Sequence, residues 1–165
     1  MMKRRSRGFS LIEILTVLAI IGILSLVTVP LFMNYQRRNQ VRSALREFTT
    51  TLRKARSEAI GQQSLIRVQV IGGREYQVFQ SRDGTVWTAY SLARGKTDFN
   101  RAWLPETMEF TEVTFDDEAV DFRSDGTVVE AGTFKMKTDW PDIINEVTVD
   151  VSAAGLIKST EKKAP

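Results

Sequence analysis

The chain has 165 residues, room for one compact domain and an appendage, with 42% apolar and 26% charged residues. It contains neither Cys nor His, which removes disulfides, thiolate chemistry, the usual general base and the commonest metal ligand, and with them most hydrolase, zinc and redox activities. The net charge of +3 hides a division: residues 1–8 carry +4 (Lys3, Arg4, Arg5, Arg7), 9–33 carry −1 (Glu13), 34–56 carry +6 and 57–165 carry −6.

The basic residues 1–8 lead at once into an apolar run. From Ile14 to Met33 no charged residue occurs, about the twenty residues that cross a bilayer as a helix. A secretory signal has an apolar core of about 7–15 residues followed by a small-residue cleavage site. This run is longer and lacks that site, so it is expected to stay with the mature chain. Four basic residues precede the run and seven follow it closely. Charge counting therefore puts the C-terminal part in the cytoplasm, against the orientation implied by the motif below.

Beyond Met33 the apolar positions are Val41, Ala44, Leu45, Phe48, Leu52, Ala55 and Ala59. Steps of three and four predict one apolar stripe on a helix, with Gly61 as its stop. Phe9 to Ile60 as one helix would run about 78 Å. Pro30 lacks an amide hydrogen and Gly22 weakens a helix, which predicts a bend between them. The other reading is that both are simply tolerated in a membrane helix.

From Ser64 the period becomes two. Ile66, Val68 and Val70 alternate with Arg67 and Gln69, Gly72-Gly73 reads as a turn, and Tyr76, Val78 and Gln80 form the returning strand before Asp83-Gly84. Residues 90–107 read as irregular. Further strands are expected at 119–123, 127–130, 133–137, 146–152 and 155–158. The division is then a leader at 1–8, a membrane helix at 9–33, its amphipathic continuation at 34–61, a β-rich head at 62–158 and a disordered tail at 159–165. The fold class is α+β, a long N-terminal helix packed on a small antiparallel head.

The junction Gly8-Phe9-Ser10-Leu11-Ile12-Glu13, set between the basic leader and the apolar helix, resembles the cleavage signal of type IV prepilins and type II secretion pseudopilins. Gly22 and Pro30 agree with that family as well. The resemblance implies a pilin-like fold, cleavage after Gly8 on the cytoplasmic side by a prepilin peptidase, and N-methylation of Phe9. It also implies an inner-membrane anchor, a periplasmic head, an inner-membrane assembly platform and a filament of other pilins or pseudopilins as partners. An acid inside an apolar helix is costly and marks a function, unless it lies close enough to the membrane surface to reach water. For Glu13 the family implies a partner, the amine of a neighbouring subunit's Phe9, neutralised on filament assembly.

The segments from Val120 to Met136 and from Val147 to Ser159 resemble the C-terminal half of the GspH/FimT group of minor pseudopilins, at Phe122, Gly126, Gly132, Phe134, Val149, Ser152 and Gly155. Major type IV pilins usually close a C-terminal loop with two cysteines, and this chain has none. The expected function is a minor pseudopilin of a type II secretion system, structural rather than enzymatic and without a cofactor. The alternative is a minor type IV pilin in pilus assembly or DNA uptake. The acids Asp116, Asp117, Glu118, Asp121 and Asp125 suggest calcium, but their spacing lacks the bidentate acid of an EF-hand and a solvated face is favoured. Of Trp87, Trp103 and Trp140, one or two are expected as core anchors. DNA is disfavoured as a partner, because the basic residues after position 57 are scattered and only Lys158, Lys162 and Lys163 cluster.

Overall fold

The computed structural model describes residues 10–92, 101–140 and 144–162. Among the described residues one α-helix, α1, covers Leu11–Gln62, and nine strands follow, with a single 3-10 turn at Asp116–Glu118. Contacts divide the chain into two compact units, Met1–Gln36 and Arg37–Pro165. The boundary falls inside α1, so the second half of the helix belongs to the head rather than forming a segment of its own.

In the first unit α1 follows the apolar run from Leu11 on. Among the described residues no single helix is long and apolar enough to cross a membrane. Leu11–Leu26 and Leu31–Gln62 satisfy that test only together, as a bent pair, by length and composition. The break lies where Pro30 stands, and Gly22 falls inside the first stretch.

In the second unit the stripe Val41, Ala44, Leu45, Phe48, Leu52, Ala55, Ala59 is buried in full, as helical spacing requires of an apolar face meeting a core. α1 does not stop at Gly61. It ends one residue later, at Gln62, in a Schellman arrangement: Gln63 takes a left-handed φ of 50°, its amide donates to Ile60 O at 3.4 Å, and the Ser64 amide to Ala59 O at 3.2 Å.

Two antiparallel sheets lie in this unit. In the first, β1 (Leu65–Ile71) pairs with β2 (Glu75–Ser81) across a turn at Gly72, with Val68 opposite Val78. The two-residue β3 (Thr88–Ala89) and β4 (Arg101–Trp103) both pair with β2. On the other side of β1 lies β6 (Ala119–Phe122). The second sheet has the order β5 (Met108–Val113), β7 (Gly132–Thr138), β8 (Glu146–Val151), β9 (Ile157–Lys162). Phe48 ties helix and sheets together. Its ring lies 4.9 Å from Tyr76 in β2, 5.3 Å from Phe110 in β5 and 5.1 Å from Phe134 in β7, each edge to face.

Several expectations are corrected. Residues 127–130 do not form a strand. Val128 makes one bridge to Phe122, and its amide turns to Ala153 O at 3.1 Å while that of Val129 turns to Asp121 O at 2.9 Å, so the segment is shared between two partners. Residues 159–162, expected as a disordered tail, form most of β9 and pair with β8 from Val151–Ile157 to Glu146–Lys162. Residues 163–165 lie outside the described residues. Strand β5 was not foreseen, and β4 stands in the stretch read as irregular.

Candidate assembly helix and head surface

Glu13 occupies the first turn of α1, where the unpaired amides of a helix N-terminus favour an acid. Ser10 O accepts from its amide at 3.0 Å and from that of Ile14 at 3.3 Å. Every described side chain from Leu11 to Gln36 is exposed, with Leu11 at 77% and Leu26 at 78%. Three hydroxyls of the apolar run are satisfied within the helix: Thr16 donates to Ile12 O at 2.7 Å, Ser25 to Ile21 O at 2.8 Å and Thr28 to Leu24 O at 2.9 Å. These three hydroxyls need no outside partner when the run leaves water. Gly8 and Phe9 lie outside the described residues.

In the head the side chain that sequence reasoning passed over is Arg56, counted there only within the +6 of residues 34–56. From α1 its Nε donates to Gly126 O at 2.8 Å and its Nη2 to Ala154 O at 3.0 Å. Both turns need glycine for this approach. Gly126 has φ 81° and Gly155 φ 71°, and a Cβ on Gly155 would stand 2.2 Å from Gly126 O and 2.8 Å from Arg56 Nε. The Gly126 and Gly155 of the resemblance are therefore two halves of one clamp closed by a guanidinium.

The acidic cluster is divided among separate tasks. Asp121 forms a two-pronged, largely buried pair with Arg67 at 2.7 and 2.8 Å, and Arg67 also lies 4.2 Å over the ring of Trp87. Asp117 stands 3.7 Å from the same guanidinium. Asp125 caps its own turn, accepting from the Thr127 amide at 2.8 Å and hydroxyl at 2.6 Å, bonds that hold its carboxyl below the usual range. Among the described residues no group of three or more Asp and Glu is placed to hold a metal.

The tryptophans are not fully buried. Trp103 is 62% exposed, while Trp140 is half-buried beneath Arg37. Asp83 accepts from the Thr85 amide at 2.9 Å, the Val86 amide at 3.4 Å and the Ser81 hydroxyl at 3.2 Å, and these bonds, the Thr85 amide foremost, lower its pKa to about 2. Burial pushes the Tyr76 phenol up to about 12.

The model described as the prokaryotic N-terminal methylation motif matches residues 3–29, and that described as type II transport protein GspH matches residues 44–155. The chain is similar to the type IV major fimbrial protein FimA of Dichelobacter nodosus, 46% identical over 46 residues, 28% of this chain and 30% of FimA. It thus spans under a third of the length of that relative. It is also similar to a fimbrial protein of Pseudomonas aeruginosa, 27% identical over 109 residues, 55% of this chain and 71% of the relative. Among solved structures, the minor pseudopilin EpsH of the Vibrio cholerae type 2 secretion system superposes with TM-score 0.57 at 17% identity, covering 72% of this chain and 94% of EpsH. The type IV minor pilin FimU of Pseudomonas aeruginosa superposes with TM-score 0.59 at 20% identity, covering 79% and 98%. At these identities the superpositions speak to the fold.

Proposed function

The chain belongs to the GspH family of type II transport proteins, and from that membership we propose that it is a minor pseudopilin, a structural subunit of the periplasmic filament of a type II secretion system. The observation that carries the reading is the match over residues 44–155, which spans α1 from Ala44 on and the sheets up to the Arg56 clamp. The methylation motif over residues 3–29 supports a mature chain that begins at Phe9, cut after Gly8 and methylated by a prepilin peptidase. The apolar first stretch of α1 then lies in the inner membrane before assembly and among neighbouring helices, delivered by the assembly platform, afterwards. Pro30, at the break in the helix, and Gly22 are assigned to local yielding of α1 as subunits pack. The work is assembly, with no catalytic step.

Glu13 neutralises the Phe9 amine of a neighbouring subunit. Glu13→Leu should leave insertion intact, since it removes a charge from lipid. Filament incorporation should fall, because a buried amine without its counter-charge costs about 3–5 kcal/mol. Secretion measured in a deletion strain carrying the full chain or Glu13→Leu tests this. Normal incorporation of Glu13→Leu would contradict the role.

The likeness to FimU favours a second reading, a minor type IV pilin. DNA capture is the part of it that the head surface supports least. Lys158 and Lys162 stand opposite Asp150 and Glu146 in the ladder, which offsets the phosphate attraction they would supply.

A further inference from the structure

The outer face of the second sheet is ordered by charge. In β5, Glu109 stands opposite Lys137 of β7, and Glu112 opposite Lys135, with Lys135 Nζ 2.6 Å from Glu112. In β8, Glu146 is opposite Lys137, and Asp150 opposite Thr133, whose hydroxyl donates to it at 3.0 Å. In β9, Lys162 is opposite Glu146 and Lys158 opposite Asp150. The rows therefore read acidic, basic, acidic, basic, and opposite charges on directly facing positions stabilise each step. Lys135, in the inner basic row, feels acids on both sides, Glu112 foremost and then Glu146, and its pKa is raised. The basic row of β9 has an acidic row on one side only.

The backbone at that edge is equally one-sided. The Ser152 amide donates to Leu156 O at 3.0 Å, which marks 152 and 156 as a bonded pair. Antiparallel ladders alternate, so Lys158, Thr160 and Lys162 direct their peptide groups to β8, while Ile157, Ser159 and Glu161 direct theirs away from the sheet. Other edges among the described residues are blunted. β5 is bulged between Phe110 and Glu112, β3 and β4 are two and three residues long, and β6 is occupied by Val128 and Val129. β9 is regular over its six residues.

We propose that the free edge of β9 is a strand-addition site for an extended acidic segment of a partner protein, bearing Asp or Glu opposite Lys158 and Lys162. The main chain of the segment bonds Ile157, Ser159 and Glu161, and its acids, four residues apart on one face, supply the missing acidic row. This rests on the sheet alone and stands independently of the filament reading.

The test uses the full chain in detergent micelles and a capped peptide, Glu-Val-Thr-Val-Asp-Val, the sequence of β8 that already complements β9. With millimolar peptide, amide exchange at Ile157, Ser159 and Glu161 should slow by at least about tenfold, while Lys158, Thr160 and Lys162, already bonded to β8, should not change. Replacing both peptide acids by lysine should abolish the effect. Lys158→Glu with Lys162→Glu should reverse the preference toward the lysine peptide. Ser159→Pro removes an outward amide and spares the β8 ladder, so it should lose the protection while staying folded. No protection at the outward amides, equal protection by both peptides, or protection that survives Ser159→Pro would each overturn the proposal, leaving the lysines as guards against pairing.

Discussion

Arg56 and the glycines it serves show how much one contact constrains. Gly155→Ala adds a methyl 2.2 Å from a backbone oxygen and forces an alanine to φ 71°, and neither the oxygen nor the angle can yield cheaply. It should destabilise the head by at least about 2 kcal/mol. At Gly126 the nearest atom is the flexible tip of Ile60, 2.9 Å away, so Gly126→Ala should cost less. Chemical denaturation of the two variants checks the order, and equal costs would show that the clamp is loose. Asp83 makes a pH prediction. Its pKa is lowered from 3.8 to about 2 in the folded state. The stabilisation from its three bonds is therefore complete above pH 3.8 and lost as pH falls toward 2. The stability gap between the wild type and Asp83→Ala, followed by urea titration, should be constant at neutral pH and close between pH 4 and pH 2. A gap unchanged at pH 2 would refute the bonding to the charged form.

Among elements, the second half of α1 was the most legible. Seven apolar positions at steps of three and four can only form a stripe, and all seven are buried. The boundary drawn at residue 61 was not legible, because periodicity reveals which face is apolar and not what it packs on. Phe48 meets Tyr76, Phe110 and Phe134, so the helix is the centre of the head. A fragment of residues 57–165 keeps only Ala59 of the stripe. It should show no cooperative unfolding transition, whereas a fragment of residues 37–165 should melt cooperatively by circular dichroism. A cooperative melt of 57–165 would show that the sheets close without the helix. Strand β9 was expected only as far as residue 158, because its inward positions are Ile157, Ser159 and Glu161, only one of them apolar. Its order comes from backbone pairing and charge, and from Arg42 reaching Glu161 at 3.3 Å, none of which leaves a hydrophobic period. In β5 the alternation Met108, Phe110 is broken by a bulge, which erases the signal after two positions.

For the whole molecule, the expectations for the first sixty residues rest on local signals. A junction motif, an uninterrupted apolar run and a single acid each have a local signature. The Arg56 clamp was not readable, since it joins residues 70 and 98 positions apart and nothing in either segment names the other. In the function proposed above, the chain is a processed filament subunit anchored by α1 until assembly. Mass spectrometry of the chain recovered from assembled filaments tests it most directly. An N-terminus at Phe9 bearing one methyl group is expected. A filament-borne chain that still carries residues upstream of Gly8, or an unmodified Phe9, would contradict it.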